Sequence, residues 1–126
     1  METKAINPQE WKTFTPALVS EFLGTVFVVV TIYFNSLSGF SHFDYSYAYL
    51  VGYIVVSTIS GAHFNPAISF AIYLYEGKFK EYRNYIIAVV VTQLCGSLTG
   101  ILLTHIVRKG AGTNMLRYFL IPEYSD

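Results

Sequence analysis

The stretch Ser60-Gly61-Ala62-His63-Phe64-Asn65-Pro66-Ala67-Ile68-Ser69 places small, polar and backbone-exposing residues between apolar runs. Irregular chain survives at bilayer depth only where it is buried in protein or faces water, because lipid cannot satisfy its N–H and C=O groups. The chemistry these residues offer is recognition of a small polar solute, not bond breaking. Pro66 suits the first position of a helix, where its missing N–H is no loss. Asn65 before it is a good N-cap. The positive end of that helix dipole then points into mid-membrane and opposes cations. The Asn65 amide can donate to a passing oxygen, while the carbonyls of Gly61, Ala62 and His63 offer a line of acceptors. Donors, acceptors and half-helix dipoles are the means by which water-type pores select. An isolated Asn-Pro usually just caps a helix; the flanking apolar runs favour the pore reading here.

Few other residues carry chemistry. Glu21 is the formal charge inside the expected spans, and an ionisable group at that depth is expensive and taken as functional. Bracing the pore loop fits it better than proton relay, since no other span carries an acid; the competing reading is a residue near the membrane edge reaching to water. His63 is either a lumen residue or a packed loop residue whose carbonyl matters more than its ring, and the second is favoured. His42 and His105 lie near span ends, and the three histidines show no metal-ligand spacing. Cys95 is the one cysteine, so there is no disulfide framework. No nucleophile with a base, phosphate-cradling loop or carboxylate pair occurs. The reading is therefore no enzyme, no metal and no cofactor, and zero net charge argues against nucleic acid.

The elements that must position these residues are membrane helices. Of the 126 residues 53% are hydrophobic and 13% charged, with mean hydropathy +0.44; soluble domains carry about 25% charged residues. A bilayer core of about 30 Å takes roughly 20 apolar residues as helix. The apolar runs predict spans over 17–37, 45–59 and 85–107, with Pro16 marking the start of the first and Arg108-Lys109-Gly110 closing the third. The second is short. Residues 60–75 read as the pore loop and its helix, whose ten residues from Pro66 to Tyr75 rise about 15 Å, half a membrane. That length predicts a re-entrant segment. The expected fold is an all-α membrane protein with three transmembrane helices and one re-entrant half-helix. Residues 1–15 form a cytosolic tail, 16–107 the membrane unit and 108–126 a C-terminal tail. Residues 1–16 lack the apolar core and cleavage site of a signal peptide. Lys4, Lys12, Lys78, Lys80 and Arg83 place the N-terminus in the cytosol, although Arg108, Lys109 and Arg117 on the other side weaken the bias. The G-x-x-x-G pattern at Gly96 and Gly100 predicts close helix approach, within the chain or between chains, and Gly24 and Gly52 suit the same packing.

Ser60-Gly61-Ala62-His63-Phe64-Asn65-Pro66-Ala67 resembles the first signature of the aquaporin, or major intrinsic protein, family. Glu21-Phe22-Leu23-Gly24-Thr25 is similar to that family's first helix, and Gln93 followed by Gly96 and Gly100 to its third. The resemblance covers residues 16–107, the family's N-terminal half. It implies six tilted helices and two half-helices from two inverted repeats, assembled as a tetramer. It implies that Asn65, Pro66 and Ala67 form the first Asn-Pro-Ala box and that Gly61, Ala62 and His63 guide the solute. It further implies that Glu21 holds the pore loop and that Tyr45 stands at the constriction. The family also has a second Asn-Pro-Ala box and a constriction Arg; residues after Val107, including Ala111-Gly112-Thr113-Asn114-Met115, contain neither. The expectation is one repeat of a channel for water or small neutral solutes such as glycerol. That repeat needs a second half from another chain or from further sequence. The alternative is a truncated, non-conducting protein that binds full-length aquaporins through the Gly96/Gly100 face.

Overall fold

In the computed structural model the described residues are 8–35, 42–77 and 79–110. Residues 1–7, the connector 36–41 and the tail beyond residue 110 lie outside them. Every regular element among the described residues is a helix: α1 (Pro8–Asn35), α2 (His42–Ser60), α3 (Pro66–Tyr75) and α4 (Arg83–Gly110). The stretches Lys12–Tyr33 of α1 and Arg83–Lys109 of α4 are long and apolar enough to cross a membrane.

α1 starts at Pro8, ahead of the residue-17 start read from hydropathy, and Pro16 sits inside it rather than at its beginning. Hydropathy marks where a helix meets lipid, and the polar residues before Pro16 carry no such signal although they are helical. α3 is ten residues long, about 15 Å.

The helices meet through absent side chains. Gly96 of α4 lies so close to α1 that a Cβ there would sit 2.9 Å from the Phe22 carbonyl oxygen and 3.1 Å from Thr25 Cβ. A Cβ on Gly100 would sit 2.8 Å from Val29 Cγ1 and 3.2 Å from the Val26 carbonyl oxygen. The two glycines therefore form a contact within the chain, which settles the alternative left open above: the face suggested for binding other chains is occupied by α1. Small residues let backbones approach in this way and are how membrane helices gain packing where lipid removes the hydrophobic drive.

Polarity is arranged inside out. The most deeply buried side chains include Gln93, Glu21, Thr25, Thr104 and Ser69, while Leu23, Ile54, Val55 and Leu98 face outward. Soluble proteins show the reverse. Interior hydroxyls bond to their own helices: Thr25 Oγ1 donates to the Glu21 carbonyl at 2.7 Å and Thr104 Oγ1 to the Gly100 carbonyl at 2.8 Å. Arg108, nearly buried, donates from its guanidinium to the Tyr33 carbonyl at 3.1 Å. That bond satisfies one of the orphan acceptors in the last turn of α1 and ties the far ends of α1 and α4 together.

Gly96→Ala tests the close contact. Helix propensity favours alanine by about 1 kcal/mol, but overpacking costs about 1–3 kcal/mol, and the obstructing Phe22 oxygen is backbone and cannot swing aside. The expected outcome is a lower thermal midpoint in detergent than that of the unsubstituted chain; an equal or higher midpoint would contradict the packing described.

Candidate functional site

The loop between α2 and α3 is built from unusual backbone. α2 ends with the Gly61 N–H donating to the Ser57 carbonyl at 2.9 Å. Gly61 has φ +85°, Ala62 φ 52° and Phe64 φ 49°. Glycine adopts left-handed backbone freely; alanine and phenylalanine do so at about 1–3 kcal/mol each. Asn65 returns to extended backbone, φ −149° and ψ 126°, and caps α3. Its Oδ1 accepts from the Ala67 N–H at 2.8 Å, and its carbonyl accepts from the Ser69 N–H at 3.0 Å. Pro66 takes the first helical position. The cap uses the oxygen of the Asn65 side chain and leaves its NH2 as a donor, on a residue that is half-buried.

What holds the strained loop is Glu21, one per cent exposed. Its Oε1 accepts from the His63 N–H at 3.0 Å and its Oε2 from the Phe64 N–H at 2.8 Å. The Gln93 amide nitrogen of α4 also donates to Oε2, at 2.8 Å. Three donors converge on one carboxylate, and no cation among the described residues pairs with it. Such convergence satisfies a charge that burial otherwise makes costly. Lower in the loop the Ala62 N–H donates to Ser60 Oγ at 3.2 Å. The Tyr49 hydroxyl of α2 donates to the His63 carbonyl.

Phe64 anchors the loop from its other side. A Cβ on Gly24 would fall 1.9 Å from the Phe64 ring, and one on Gly52 2.8 Å from it. The two glycines thus admit a loop side chain between α1 and α2 rather than one helix against the other. Ring contact with Tyr49 completes the clamp, centroids 5.6 Å apart at 66°. Tyr45, a turn earlier on α2, packs against Tyr49 with centroids 5.8 Å apart and ring planes tilted by 42°, so its link to the loop is indirect.

His63 is buried, and its Nδ1 lies 3.1 Å from Ser69 Oγ of α3. Its ring borders a cavity of about 290 Å³ that Phe14, Ser60, Tyr73, Glu76 and Tyr85 also line. Sequence reasoning did not single out Ser69, Tyr49 or Phe64. The available signal was the pair of glycines on two different helices, which implied a close approach without saying of what. Gln93 was noted only as part of a resembling pattern. Among the described residues no cluster of three metal-type ligands occurs.

The arrangement can present a donor at Asn65 and carbonyls from a fixed loop. A family model described as Major intrinsic protein matches residues 7–125. No curated protein and no solved structure matches the chain.

Glu21→Gln keeps the size of the side chain but turns a donor, its NH2, toward one of the two loop amides. Losing a hydrogen bond to a charged acceptor costs about 1.5–3 kcal/mol. Amide exchange at His63 and Phe64 is expected to become roughly tenfold to a hundredfold faster, read by hydrogen-exchange mass spectrometry in detergent. Unchanged protection would mean that the carboxylate does not hold the loop.

Proposed function

The chain belongs to the major intrinsic protein family, and on that premise we propose that it forms one wall of a passive pore for water or small neutral solutes such as glycerol. Members of that family are membrane channels, not enzymes, and the chain is an integral membrane protein with apolar helices to match. In the proposed arrangement α1, α2 and α4 cross the bilayer and α3 is re-entrant, its loop and Asn65 reaching mid-membrane. The N-terminus lies in the cytosol.

The observation that carries this reading is the braced loop ending in an Asn65-capped half-helix. The left-handed residues Gly61, Ala62 and Phe64 shape the loop, and Glu21 holds the His63 and Phe64 N–H groups inside the protein. The cap leaves the Asn65 NH2 to donate to a solute oxygen. Pro66 opens α3 without wasting an N–H, and the positive end of α3 lies beside Asn65, where it raises the energy of a cation. Gly61, Ala62 and His63 supply carbonyl acceptors along the same wall, Tyr45 stands toward its outer end, and Ala67 keeps the first turn of α3 narrow. Acceptors along the wall and a donor at its centre offset part of a solute's dehydration without binding it tightly.

One half-helix makes one wall. A closed lumen needs a second set of donors facing the first in the opposite sense, the general design of inverted repeats meeting at the midplane. Two copies in one orientation cannot provide it. In a tetramer or another oligomer each pore still requires that second wall. The alternative, a non-conducting protein that associates with complete channels, has lost its suggested Gly96/Gly100 surface to α1.

Osmotic swelling of proteoliposomes into which the chain is reconstituted in both orientations, so that opposed copies can supply the second wall, tests the proposal. Water or glycerol permeability above that of protein-free vesicles, without potassium flux, is the expected result. Asn65→Asp places a negative charge at the half-helix terminus and is expected to raise potassium flux by about tenfold for each 1.4 kcal/mol of barrier removed. Neutral flux with unaltered cation exclusion in Asn65→Asp would reject the mechanism. Absence of neutral flux would favour the non-conducting reading.

A further inference from the structure

A chain of hydrogen bonds runs from Glu21 to the ring of His63 at the edge of the cavity. Glu21 Oε2 lies 2.8 Å from Gln93 Nε2, which lies 2.8 Å from Ser69 Oγ. Ser69 Oγ in turn lies 3.1 Å from His63 Nδ1. Gln93 and Ser69 are fully buried, so water does not compete along the chain.

The direction starts at the carboxylate. Glu21 already accepts on both oxygens from the backbone of His63 and Phe64, which is the bonding of an ionised group. Gln93 must therefore turn its NH2 toward Glu21. The opposite amide orientation would set an oxygen against a carboxylate and leave two N–H donors without partners. In the observed orientation the unpartnered atom is the amide oxygen, the cheaper group to leave. The second N–H of Gln93 then donates to Ser69 Oγ.

Ser69 consequently accepts from Gln93 and has one proton left. His63 Nδ1 is the only acceptor it meets among the described residues. If Nδ1 carried a proton instead, Ser69 would accept twice and its own buried hydroxyl proton would be stranded. An unmade buried hydrogen bond of this kind shifts an equilibrium by about fivefold to a hundredfold. His63 is thereby left with a bare Nδ1 and its proton on Nε2. That nitrogen lies over Gly61, where a Cβ would approach it to 2.9 Å. No other described residue bonds it, and the ring borders the cavity.

We infer that Glu21, Gln93 and Ser69 fix His63 in the Nε2–H form, so that its ring is a permanent hydrogen-bond donor to an oxygen-bearing neutral solute in the cavity. Gln93 and Ser69 are positioning residues, and His63 is the residue that touches the solute. The inference rests on the channel reading only for the solute; the tautomer follows from the hydrogen bonds alone. It makes the ring of His63, and not just its carbonyl, part of the wall. It also assigns opposite duties to neighbouring groups: the loop carbonyls accept, and the histidine beside them donates.

Nitrogen-15 NMR of histidine-labelled protein in lipid bilayers reads this directly, with the His63 signals identified by their loss in His63→Gln. The expected wild-type spectrum has a protonated Nε2 and a bare Nδ1. In Ser69→Ala, and in Gln93→Met as a second variant should the first fail to fold, the ratio of Nε2–H to Nδ1–H is expected to fall by about fivefold or more. Replacing part of the water by glycerol is expected to move the Nε2 resonance and leave Nδ1 unchanged. A bare Nε2 in the wild type would overturn the inference, because the chain would then run in the other sense from a protonated Glu21. An unaltered ratio in the variants would overturn the positioning roles, and an Nε2 signal indifferent to glycerol would overturn the contact with solute. Proteoliposome flux reports separately on the channel reading: a chain without flux but with this tautomer would lose the function and keep the relay.

Discussion

The rest of this structure depends on one buried carboxylate. Glu21 is shut away from water with its partners confined to N–H donors: two from the loop backbone and one from Gln93. Stranding such a charge costs several kcal/mol, and each left-handed non-glycine residue of the loop costs about 1–3 kcal/mol. The two liabilities offset one another. The carboxylate is tolerable because the loop presents two adjacent amides, and the loop holds its shape because the carboxylate rewards that presentation. Neither α1 nor the loop explains itself alone.

The helices serve this interaction by coming close. Gly24 and Gly52 open a slot that admits the Phe64 ring between α1 and α2, while Gly96 and Gly100 bring α4 onto α1. The second contact sets Gln93 at the right depth to reach both Glu21 and Ser69. In lipid, where burying an apolar side chain gains little, such packing and interhelical hydrogen bonds carry association. Polar residues such as Gln93, Glu21 and Ser69 accordingly lie inside, together with Ile86 and Val89, while Leu23, Ile54 and Leu98 lie outside.

Much of the site was legible because its chemistry is local. Asn65 followed by Pro66 announces a capped helix whatever lies around it, since an Asx cap and an N1 proline act within one turn. The length of α3 follows from where its apolar run stops at Glu76. Glu21 stood out because a charge inside an apolar run demands a reason. Other features were not legible. α1 extends back to Pro8, ahead of the span expected from residue 17, because helical but polar residues leave no hydropathy mark. Gly24 and Gly52 signalled closeness but not the ring between them. The duty of Ser69 was invisible, as a serine one turn into an apolar helix has no pattern to betray a partner on another element.

The sequence by itself determined the helices, the half-length of α3, its cap and the presence of a polar loop between apolar runs, because backbone propensity and hydropathy act between near neighbours. Only the tertiary structure decided which loop amides meet Glu21, that Gly96 and Gly100 face α1 instead of another chain, and how Gln93 links α1 to α3 and on to His63. Apart from the step from Ser69 to His63, six positions, those contacts join residues at least 24 positions apart. Their geometry depends on how three helices approach, which no single stretch of chain specifies.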